Sequence, residues 1–501
     1  MEHRSVWLAT AEIGSYPALQ DDLDVDVAVI GAGIVGLTTA LLALRDGARV
    51  AVLEARQVAS GTSGRTTGKV TSQHGLIYDT LLERHGELKA RQYAEANEAG
   101  VHEIARLVDD LDIDCDLTWA PAYAYTRDAE QRRAVVDEFE AAQRLGLPAS
   151  LAESVELPFQ VEAAVGFDDQ LHIHAGRYLA GLARGVTAAG GELFEQTPVT
   201  DVSERQDMVE VSTPGGTVRA RRAVVATLLP IRYVGAYFAK ARPVRSYGIA
   251  LRLHDEAPRG MGLGVDAPTR STRPWPDPGP NGLIVVGNDH ETGTTDTAGA
   301  YADLETWARQ TFDVEAVDYR WSSQDFVTPD RIPYVGRAQL TERTLVATGF
   351  AKWGLSNGTA AALMLADLMA DRDNAWFPAF DATRVGGPRT VAELVKDNLK
   401  VGKEFVGGHL SRIKADSVEH LGRGEGGAVD VDGHSVGGYR DPAGRLHAVS
   451  LVCSHLGCRV NWNAADASWD CPCHGSRFDV DGAVLDGPAV TPLLTLAIDD
   501  A

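Results

Sequence analysis

The segment DVDVAVIGAGIVG (Asp24–Gly36) decides the fold of the first part of the chain. It begins with a run of β-branched residues that is typical of a buried parallel strand. Apolar residues at helical spacing follow from Ile34 to Leu44, and a second apolar run, Arg49 to Leu53, comes after them. The pattern predicts a strand, a helix and a second strand, with a GxGxxG turn between the first two.

The three glycines of this turn indicate a dinucleotide site. Gly31 permits the tight turn, Gly33 lets the backbone approach a pyrophosphate, and Gly36 lets the helix pack on the strand. The helix N-terminus supplies N–H donors for the phosphates. Glu54, at the end of the second strand, is placed to accept hydrogen bonds from ribose hydroxyls. GxGxxG alone is a weak signal, but its register with both strands and Glu54 makes it specific.

A second motif lies near the C-terminus, where Cys453-Ser454-His455 is followed by Cys471-Pro472-Cys473-His474. Two thiolates and two imidazoles, offered as C-x-H and C-x-x-H, are the mixed ligand set of a Rieske [2Fe-2S] centre. The competing interpretation is a Cys₂His₂ zinc site, in which C-x₂₋₄-C is usually paired with H-x₃₋₅-H. The pairing here differs from that pattern, which favours the iron-sulfur centre.

Composition excludes several classes of protein. The 501 residues predict two or three domains, and 44% hydrophobic and 23% charged residues are ordinary for a globular chain. The formal charge of −23 would repel nucleic acid and anionic lipid. Residues 1–26 hold no uninterrupted apolar core, and the apolar stretch Val27 to Leu44 is broken by glycines. We therefore expect a cytoplasmic protein with no membrane span and no nucleic-acid partner.

Several segments resemble the family of flavin amine and amino-acid oxidases that includes D-amino-acid oxidase, glycine oxidase and sarcosine oxidase. The resemblance begins with ARQVASGTSGRTTGKVTSQHG, directly after Glu54. It continues in HAGRYLAGLARGVTAAGGELFEQTPV, in RRAVVAT, and in DRIPYVG followed by LVATGFAKWGLSNG. The likeness covers about residues 24 to 370 and implies that the dinucleotide is FAD.

The resemblance also implies which residues hold FAD. Carried over position by position, they are Gly31, Gly33, Ile34, Gly36, Glu54, Ala55, Thr62, Ser63, Thr67, Gly68, Lys69, Val199, Gly349, Gly354 and Leu355. Lys352, inside the GFAKWG turn, is a candidate catalytic residue that would meet an anionic substrate group or influence oxygen chemistry. The alternative is a solvated or pyrophosphate-facing lysine. Trp353 and Tyr247 are candidates for lining the substrate pocket.

The segments CSHLGC and CPCHGS resemble the two boxes of Rieske proteins. The resemblance implies a [2Fe-2S] cluster with one iron on Cys453 and Cys471 and the other on His455 and His474. It further implies a disulfide between Cys458 and Cys473, as in the cytochrome bc type. Such a bond is unexpected in a chain predicted to be cytoplasmic. Phe478 occupies a position that is often tyrosine in high-potential members, and a lost hydrogen bond there predicts a lower potential.

The predicted fold class is an α/β dinucleotide-binding domain with an inserted mixed-sheet substrate domain, followed by an all-β Rieske domain. We expect the oxidoreductase domain at residues 1–380, with FAD-binding segments at about 24–80, 175–230 and 325–370. A connector helix is expected at 381–410 and the Rieske domain at 411–501. The proline-rich, polar interval from Asp255 to Asn281 is expected to be a long surface excursion or a lid.

The predicted function is that of an FAD-dependent oxidoreductase acting on CH–NH or CH–NH₂ donors. A small amine or amino acid would lose hydride to FAD, and single electrons would pass through the Rieske centre to an external acceptor. The exposed histidine end of the cluster would be the port. Two alternatives stay open: an oxygen-reducing oxidase with a structural or regulatory Rieske domain, and a non-catalytic electron carrier. Cys115, His172 and His174 are interpreted as ordinary packing residues.

Overall fold

The computed structural model describes residues 2–231, 234–276, 279–410, 418–431 and 434–497. A short helix, α1 (Val6–Thr10), precedes the unit predicted from the glycine motif, which consists of β1 (Leu23–Ile30), α2 (Ile34–Arg45) and β2 (Val50–Leu53). β1 and β2 are parallel. A Cβ atom at Gly36 would lie 1.9 Å from the carbonyl oxygen of Gly31, so only glycine lets α2 approach the turn this closely.

The next part of the chain forms a helical layer and the outer strands of the first sheet. Its elements are β3 (Lys69–Val70), α3 (Tyr78–Asp110), β4 (Thr118–Trp119), β5 (Ala122–Thr126), α4 (Arg132–Leu145), β6 (Ala149–Ala152), β7 (Ala163–Phe167), β8 (Leu171–His172), α5 (Ala175–Ala188), β9 (Glu192–Phe194), β10 (Asp201–Glu204), β11 (Val209–Thr213) and β12 (Gly216–Val225). The sequence indicated helix throughout Leu81 to Leu145, but β4 and β5 interrupt it.

The chain then builds a second sheet and returns to the first. The elements are β13 (Arg242–Leu253), β14 (Met261–Gly264), β15 (Arg270–Pro274), β16 (Gly282–Glu291), α6 (Ala300–Thr311), β17 (Val314–Val327), β18 (Tyr334–Arg337), β19 (Thr344–Thr348), α7 (Gly354–Met369), α8 (Phe377–Phe380) and α9 (Pro388–Leu410). None of the helices in the described part of the chain is long and apolar enough to cross a membrane.

Two eight-stranded sheets organise this body. The first has the order β10-β11-β12-β1-β2-β9, with β19 added beside β12 and β18 beside β19. Its central pairs, β12 with β1, β1 with β2, and β12 with β19, are parallel. The second has the order β17-β13-β16-β15-β14-β5-β7-β6 and is mostly antiparallel. The architecture is therefore the α/β dinucleotide-binding fold with a mixed-sheet domain that the sequence predicted.

The interval from Asp255 to Asn281 corrects one expectation. It contributes the interior strands β14 and β15 to the second sheet, so it is neither a surface excursion nor a lid. Arg270, Thr272 and Arg273 on β15 are buried. Sequence patterning missed these strands because their inward-facing residues are polar, and hydrophobic alternation is the usual signal of a strand. Residues 277 and 278 lie outside the described part of the chain.

The C-terminal region is built from two small antiparallel sheets. One contains β20 (Gly426–Val431), β21 (His434–Arg440) and β22 (Leu446–Val449), and the other contains β23 (Asn461–Asn463), β24 (Ser468–Asp470), β25 (Arg477–Phe478) and β26 (Val484–Asp486). Their core packs around Trp469, Phe478 and four buried cysteines. The expected domain start at residue 411 and its end at 501 fall on residues outside the described ranges.

Candidate active site and metal centre

A cavity of about 390 Å³ lies where the parallel strands of the first sheet end. Ile30, Leu53 and Ala347 line it from the carboxyl ends of β1, β2 and β19, which is where open α/β sheets bind ligands. Gly248 and Val286 line it from the second sheet. The cavity therefore runs between the two sheets, as a site for an extended ligand requires.

The glycine turn fits a pyrophosphate. Gly31 has φ of +104°, and Gly33 is the N-cap of α2 without a side chain to cap the helix. The N–H of Ile34 donates to Ser63 Oγ at 3.1 Å, and among the described residues no N-cap side chain bonds the first turn. A Cβ atom at Gly33 would lie 2.9 Å from Ser63 Oγ. Uncapped N–H groups facing a cavity are a ready anion site.

Glu54 is held in place at the same edge of the sheet. Its Oε2 atom accepts a hydrogen bond from the N–H of Ala32, and its Oε1 atom accepts one from the N–H of Arg56, both at 2.9 Å. Burial raises the pKa of Glu54. The carboxylate retains lone pairs for the hydroxyl donors of a ribose, so the residue fits the predicted role.

The turn before α7 has an unusual backbone. Ala351 and Lys352 have φ of 52° and 76°, in the left-handed region that non-glycine residues seldom adopt. Asp325 fixes this turn, because its Oδ2 atom accepts a hydrogen bond from the N–H of Lys352 at 2.7 Å. Burial raises the pKa of Asp325 to about 6. Strained backbone that is held by buried partners is characteristic of ligand sites.

The amine of Lys352 already has a partner at the cavity. Its Nζ atom lies 2.5 Å from Asp289 Oδ2. Asp289 also accepts hydrogen bonds from Ser246 Oγ at 2.5 Å and Thr269 Oγ1 at 2.9 Å. Burial alone would raise the pKa of Asp289, but Lys352 lowers it below its ordinary value. Lys352 therefore lines the cavity as one member of an ion pair with Asp289.

Most residues that sequence resemblance assigned to FAD meet in this cavity. Those that line it are Gly31, Gly33, Ile34, Glu54, Ala55, Thr62, Ser63, Thr67, Val199, Gly354 and Leu355, together with Lys352 and Tyr247. Gly36, Gly68, Lys69 and Gly349 do not line it. Gly36 serves helix packing, whereas Gly68 and Gly349 have positive φ in close turns. Trp353 stacks on the ring of His74 with centroids 4.8 Å apart.

The cysteine pair of the predicted metal centre is close together. The thiols of Cys453 and Cys471 lie close enough to interact, and Cys471 lowers the pKa of Cys453 to about 7. Cys453 and burial raise the pKa of Cys471, whereas the backbone N–H groups of Cys473 and His474 act in the opposite direction. The side chain of Ser476 also lowers the pKa of Cys453. Donors close to a ligand sulfur tune the potential of iron-sulfur clusters.

The two predicted histidine ligands also meet. The rings of His455 and His474 are perpendicular, with centroids 5.2 Å apart. Phe238 contacts both rings, at 5.1 and 5.0 Å between centroids. His474 is 6% exposed, and His455 is half-buried. The prediction of an exposed histidine end is wrong for His474, because the oxidoreductase body covers it.

The remaining cysteines of the two boxes form the expected disulfide. Cys458 and Cys473 are bonded, with Cα atoms 6.4 Å apart. Their sulfurs and that of Cys471 lie within 4.8 Å of one another. Two of these three sulfurs are in the disulfide and are not available as thiolates. The donor set that is left, two thiols and two imidazoles, fits a Rieske cluster.

Sequence reasoning missed one wall of the cavity. All residues of the C-terminal segment Val484 to Val490 except Pro488 line it, as does Gln324 of β17. Gln324 bridges the two domains, because its backbone oxygen accepts from Thr62 Oγ1 at 2.8 Å and its Nε2 atom donates to the carbonyl of Gly475 at 2.8 Å. Gly475 directly follows His474, one of the predicted ligands. No motif marks such a contact between sequence-distant residues.

A buried ionic network joins the same two domains. Asp466, in the turn between β23 and β24, forms an ion pair with Arg245 of β13. It also accepts hydrogen bonds from Ser322 Oγ at 2.6 Å and Tyr301 Oη at 2.9 Å. The side chains of Arg245 and Asp466 are 1% and 7% exposed. Charges this deeply buried require their partners in place, so the network fixes the C-terminal domain on the body.

The fold and the two sites define an FAD-dependent oxidoreductase joined to a Rieske domain. The family model described as FAD dependent oxidoreductase matches residues 26–368. The model described as Rieske [2Fe-2S] domain matches residues 411–497. The chain belongs to the FAD dependent oxidoreductase family and carries a C-terminal Rieske domain, so its cofactors are FAD and a [2Fe-2S] cluster.

Some known proteins resemble the whole chain, and others resemble a part of it. The chain is 35% identical to YhfW of Bacillus subtilis strain 168, described as a Rieske 2Fe-2S iron-sulfur protein, over 98% of this chain and 97% of that one. It is 26% identical to gamma-glutamylputrescine oxidoreductase of Escherichia coli K12 over 45% of this chain and 54% of that one. Glycine oxidase from Geobacillus kaustophilus superposes with a TM-score of 0.63 at 21% identity, covering 73% of this chain and all of that one. This last likeness shows the fold alone.

Proposed function

We propose that the chain is a dehydrogenase that oxidises a small amine or amino acid and delivers the electrons singly, through its Rieske domain, to an external one-electron acceptor. FAD accepts hydride, which is two electrons, whereas a [2Fe-2S] cluster carries one. The substrate loses a hydride and a proton and becomes an imine, which water hydrolyses. Two acceptor molecules each take one electron, and the protons pass to solvent.

The observation that carries this proposal is the shared wall of the cavity. The Rieske segment Val484 to Val490 lines the same cavity as the glycine turn. Within that segment, the N–H of Ala489 donates to Ser476 Oγ at 3.1 Å, and the Ser476 side chain lies near Cys453 and lowers the pKa of its thiol. One hydrogen bond therefore links the cavity wall to a residue beside a proposed ligand sulfur. Such contact supports electron relay over a regulatory role for the Rieske domain.

Residues of the turn before α7 have specific roles in the proposed reaction. The hydrogen bond from Lys352 N–H to Asp325 holds the strained turn that lines the cavity. Hydride transfer needs a neutral amine held close and oriented, and it needs no separate base. Lys352 stays the proposed catalytic residue, acting with Asp289 on a polar group of the substrate.

A cytoplasmic location is part of the same proposal. The disulfide between Cys458 and Cys473 is compatible with it, because each residue is only 3% exposed. Reduction of a disulfide requires attack by a thiolate on one of its sulfurs, so burial limits the rate at which soluble thiols reach this bond.

Anaerobic mixing with a panel of small amines and amino acids tests the proposal. We expect at least one compound to bleach the flavin absorption band of the full-length holoenzyme, and the cluster band to bleach afterwards. A flavin that is reduced while the cluster band never responds would reject the relay and favour an oxidase. A flavin that no amine reduces, but that a reductase protein does reduce, would reject amine oxidation and favour an electron carrier.

A further inference from the structure

Three basic side chains meet in the interior beside the cavity. Lys69 on β3 and His172 on β8 are directly paired in the antiparallel ladder, so their side chains leave the same face. Lys69 Nζ donates to the carbonyl of Gly262 and to Ser271 Oγ, each at 2.7 Å. Arg273 lies two residues beyond Ser271 on β15, on the same face of the second sheet.

These groups are buried and lack a counter-charge. Lys69, His172 and Arg273 are 8%, 2% and 1% exposed. Among the described residues, neither Lys69 nor Arg273 forms an ion pair with a carboxylate. Asp116 acts on Arg273 only at a distance and is itself paired with Arg177 at 2.9 Å. Buried cations are costly unless an anion or a set of hydrogen bonds compensates them.

Several donors in the cluster are unused. Within the described part of the chain, Arg273 Nε, Arg273 Nη1 and both ring nitrogens of His172 have no hydrogen-bond partner. The neutral His172 ring offers one of its two nitrogens as a donor. To the residues that the structure describes, Arg273 makes one long hydrogen bond, from Nη2 to the carbonyl of Ile173 at 3.3 Å, and it lies over the ring of Trp7 at 4.7 Å. Buried polar groups in native proteins are nearly always satisfied. The unused donors therefore indicate a ligand that accepts hydrogen bonds.

The cluster adjoins the cavity. Ser271, which receives the Lys69 amine, pairs with Val286 of β16, and Val286 lines the cavity. Neighbouring strands are about 4.8 Å apart, so the Lys69 amine, which bonds Ser271, lies about one inter-strand spacing from Val286. Thr67, two residues before Lys69, also lines the cavity. Lys69, His172 and Arg273 do not themselves line the cavity, so the cluster lies directly behind the wall formed by Val286 and Thr67.

We propose that Lys69, His172 and Arg273 form a buried binding site for one small monovalent anion. The anion is either a free inorganic ion or a carboxylate carried by the molecule that occupies the cavity. Both supply negative charge and acceptor atoms to the donors that are otherwise unused. This assignment replaces the role in holding FAD that sequence resemblance gave to Lys69.

The site has an expected pH dependence. Burial, reinforced by the positive charge of Arg273, lowers the pKa of Lys69 to about 7. Burial also lowers the pKa of His172, so that its ring stays neutral. A bound anion favours the charged amine and raises the pKa of Lys69. Anion affinity is therefore constant below about pH 7 and falls as the pH rises above it.

Titration of the full-length holoenzyme with chloride and acetate tests the proposal, with neutral acetamide as the matched control. We expect a saturable rise in the thermal transition and a saturable change in the flavin band with an anion but not with acetamide. Lys69→Met and Arg273→Gln should each weaken the binding by roughly 10- to 100-fold, the worth of one hydrogen bond to a charged group. Lys396→Met, which alters an exposed lysine on α9, should change nothing.

The source of the anion is decided by competition. Acetate that displaces chloride identifies a carboxylate as a ligand of the site, whereas chloride that acetate does not displace identifies a free inorganic ion. Affinities in Lys69→Met and Arg273→Gln that equal the wild type, in variants that retain FAD, would overturn the proposal. So would a response that follows ionic strength without saturation. None of these titrations requires turnover, so they are independent of whether any amine is oxidised.

Discussion

Replacing Cys453 by serine is expected to stop delivery of electrons to an external one-electron acceptor while substrate still reduces the flavin. The substitution removes one of the two proposed thiolate ligands, and the thiol of Cys471 would lose the group it interacts with. Loss of an outer-sphere partner usually costs roughly 10- to 100-fold in metal affinity or activity, and loss of a ligand should exceed that range. Acceptor reduction in the steady state and flavin bleaching in a single anaerobic mixing measure the two steps separately.

Cys115→Ser is the matched control for that variant. Cys115 is also a buried free cysteine, but it lies in the oxidoreductase body and apart from the boxes. It should leave iron content, acceptor reduction and flavin reduction unchanged. FAD content and circular dichroism would verify that Cys453→Ser is folded. Acceptor reduction at the wild-type rate in an iron-free Cys453→Ser variant would show that electrons leave the flavin by another route.

Replacing Asp466 by alanine is expected to cost about 3–5 kcal/mol of stability, the usual penalty for removing one partner of a buried ion pair. Arg245 would keep its buried charge without its carboxylate partner, and Ser322 and Tyr301 would lose an acceptor. Because these residues join the two domains, the Rieske domain should also detach more readily. Denaturant unfolding measures the free energy, and the rate of cluster reduction after flavin reduction measures the docking.

The pH dependence of this effect has a definite sign. Burial alone would raise the pKa of Asp466, but Arg245 and its hydrogen-bonding partners hold it well below the ordinary value. The contribution of the carboxylate is therefore complete above the unfolded pKa of about 3.9 and is lost as the pH falls through the lower folded pKa. Wild type and Asp466→Ala should differ fully at neutral pH and converge in strong acid.

Asp371→Ala provides the comparison for Asp466→Ala. The side chain of Asp371 is 80% exposed, and its nearest ion-pair contact, with Arg222, is 3.6 Å long. Exposed ion pairs contribute about 0–1 kcal/mol, so this variant should unfold close to the wild type. An Asp466→Ala variant that is as stable as Asp371→Ala would show that the interface network does not hold the domains together.

Local patterns in the sequence were sufficient for the core of both sites. The β-branched run and glycine spacing around Gly31 predicted the unit that forms the cavity floor. The spacing of the two cysteine boxes predicted a set of candidate ligands, and the fold brings their side chains together. Both features could be found in the sequence because the residues that define each site lie within one turn or within two short loops.

What the sequence did not predict depends on contacts between distant segments. The wall formed by Val484 to Val490 belongs to the C-terminal domain. Hydrophobic periodicity in the sequence does not show where that domain packs on the rest of the protein. Asp466 is an ordinary aspartate in a turn until Arg245, more than two hundred positions earlier in the chain, packs on it. Lys69 follows the flavin motif in sequence, but its long side chain reaches the second sheet and bonds Ser271. Side-chain direction of this kind is set by packing, not by propensity.

The most direct test of the account is low-temperature paramagnetic resonance of the full-length holoenzyme after anaerobic reduction by an amine substrate. The shared cavity wall predicts that the rhombic signal of a reduced Rieske cluster grows as the flavin absorption is lost. A flavin fully reduced by substrate, in protein whose cluster gives that signal with dithionite but not with substrate, would contradict the relay.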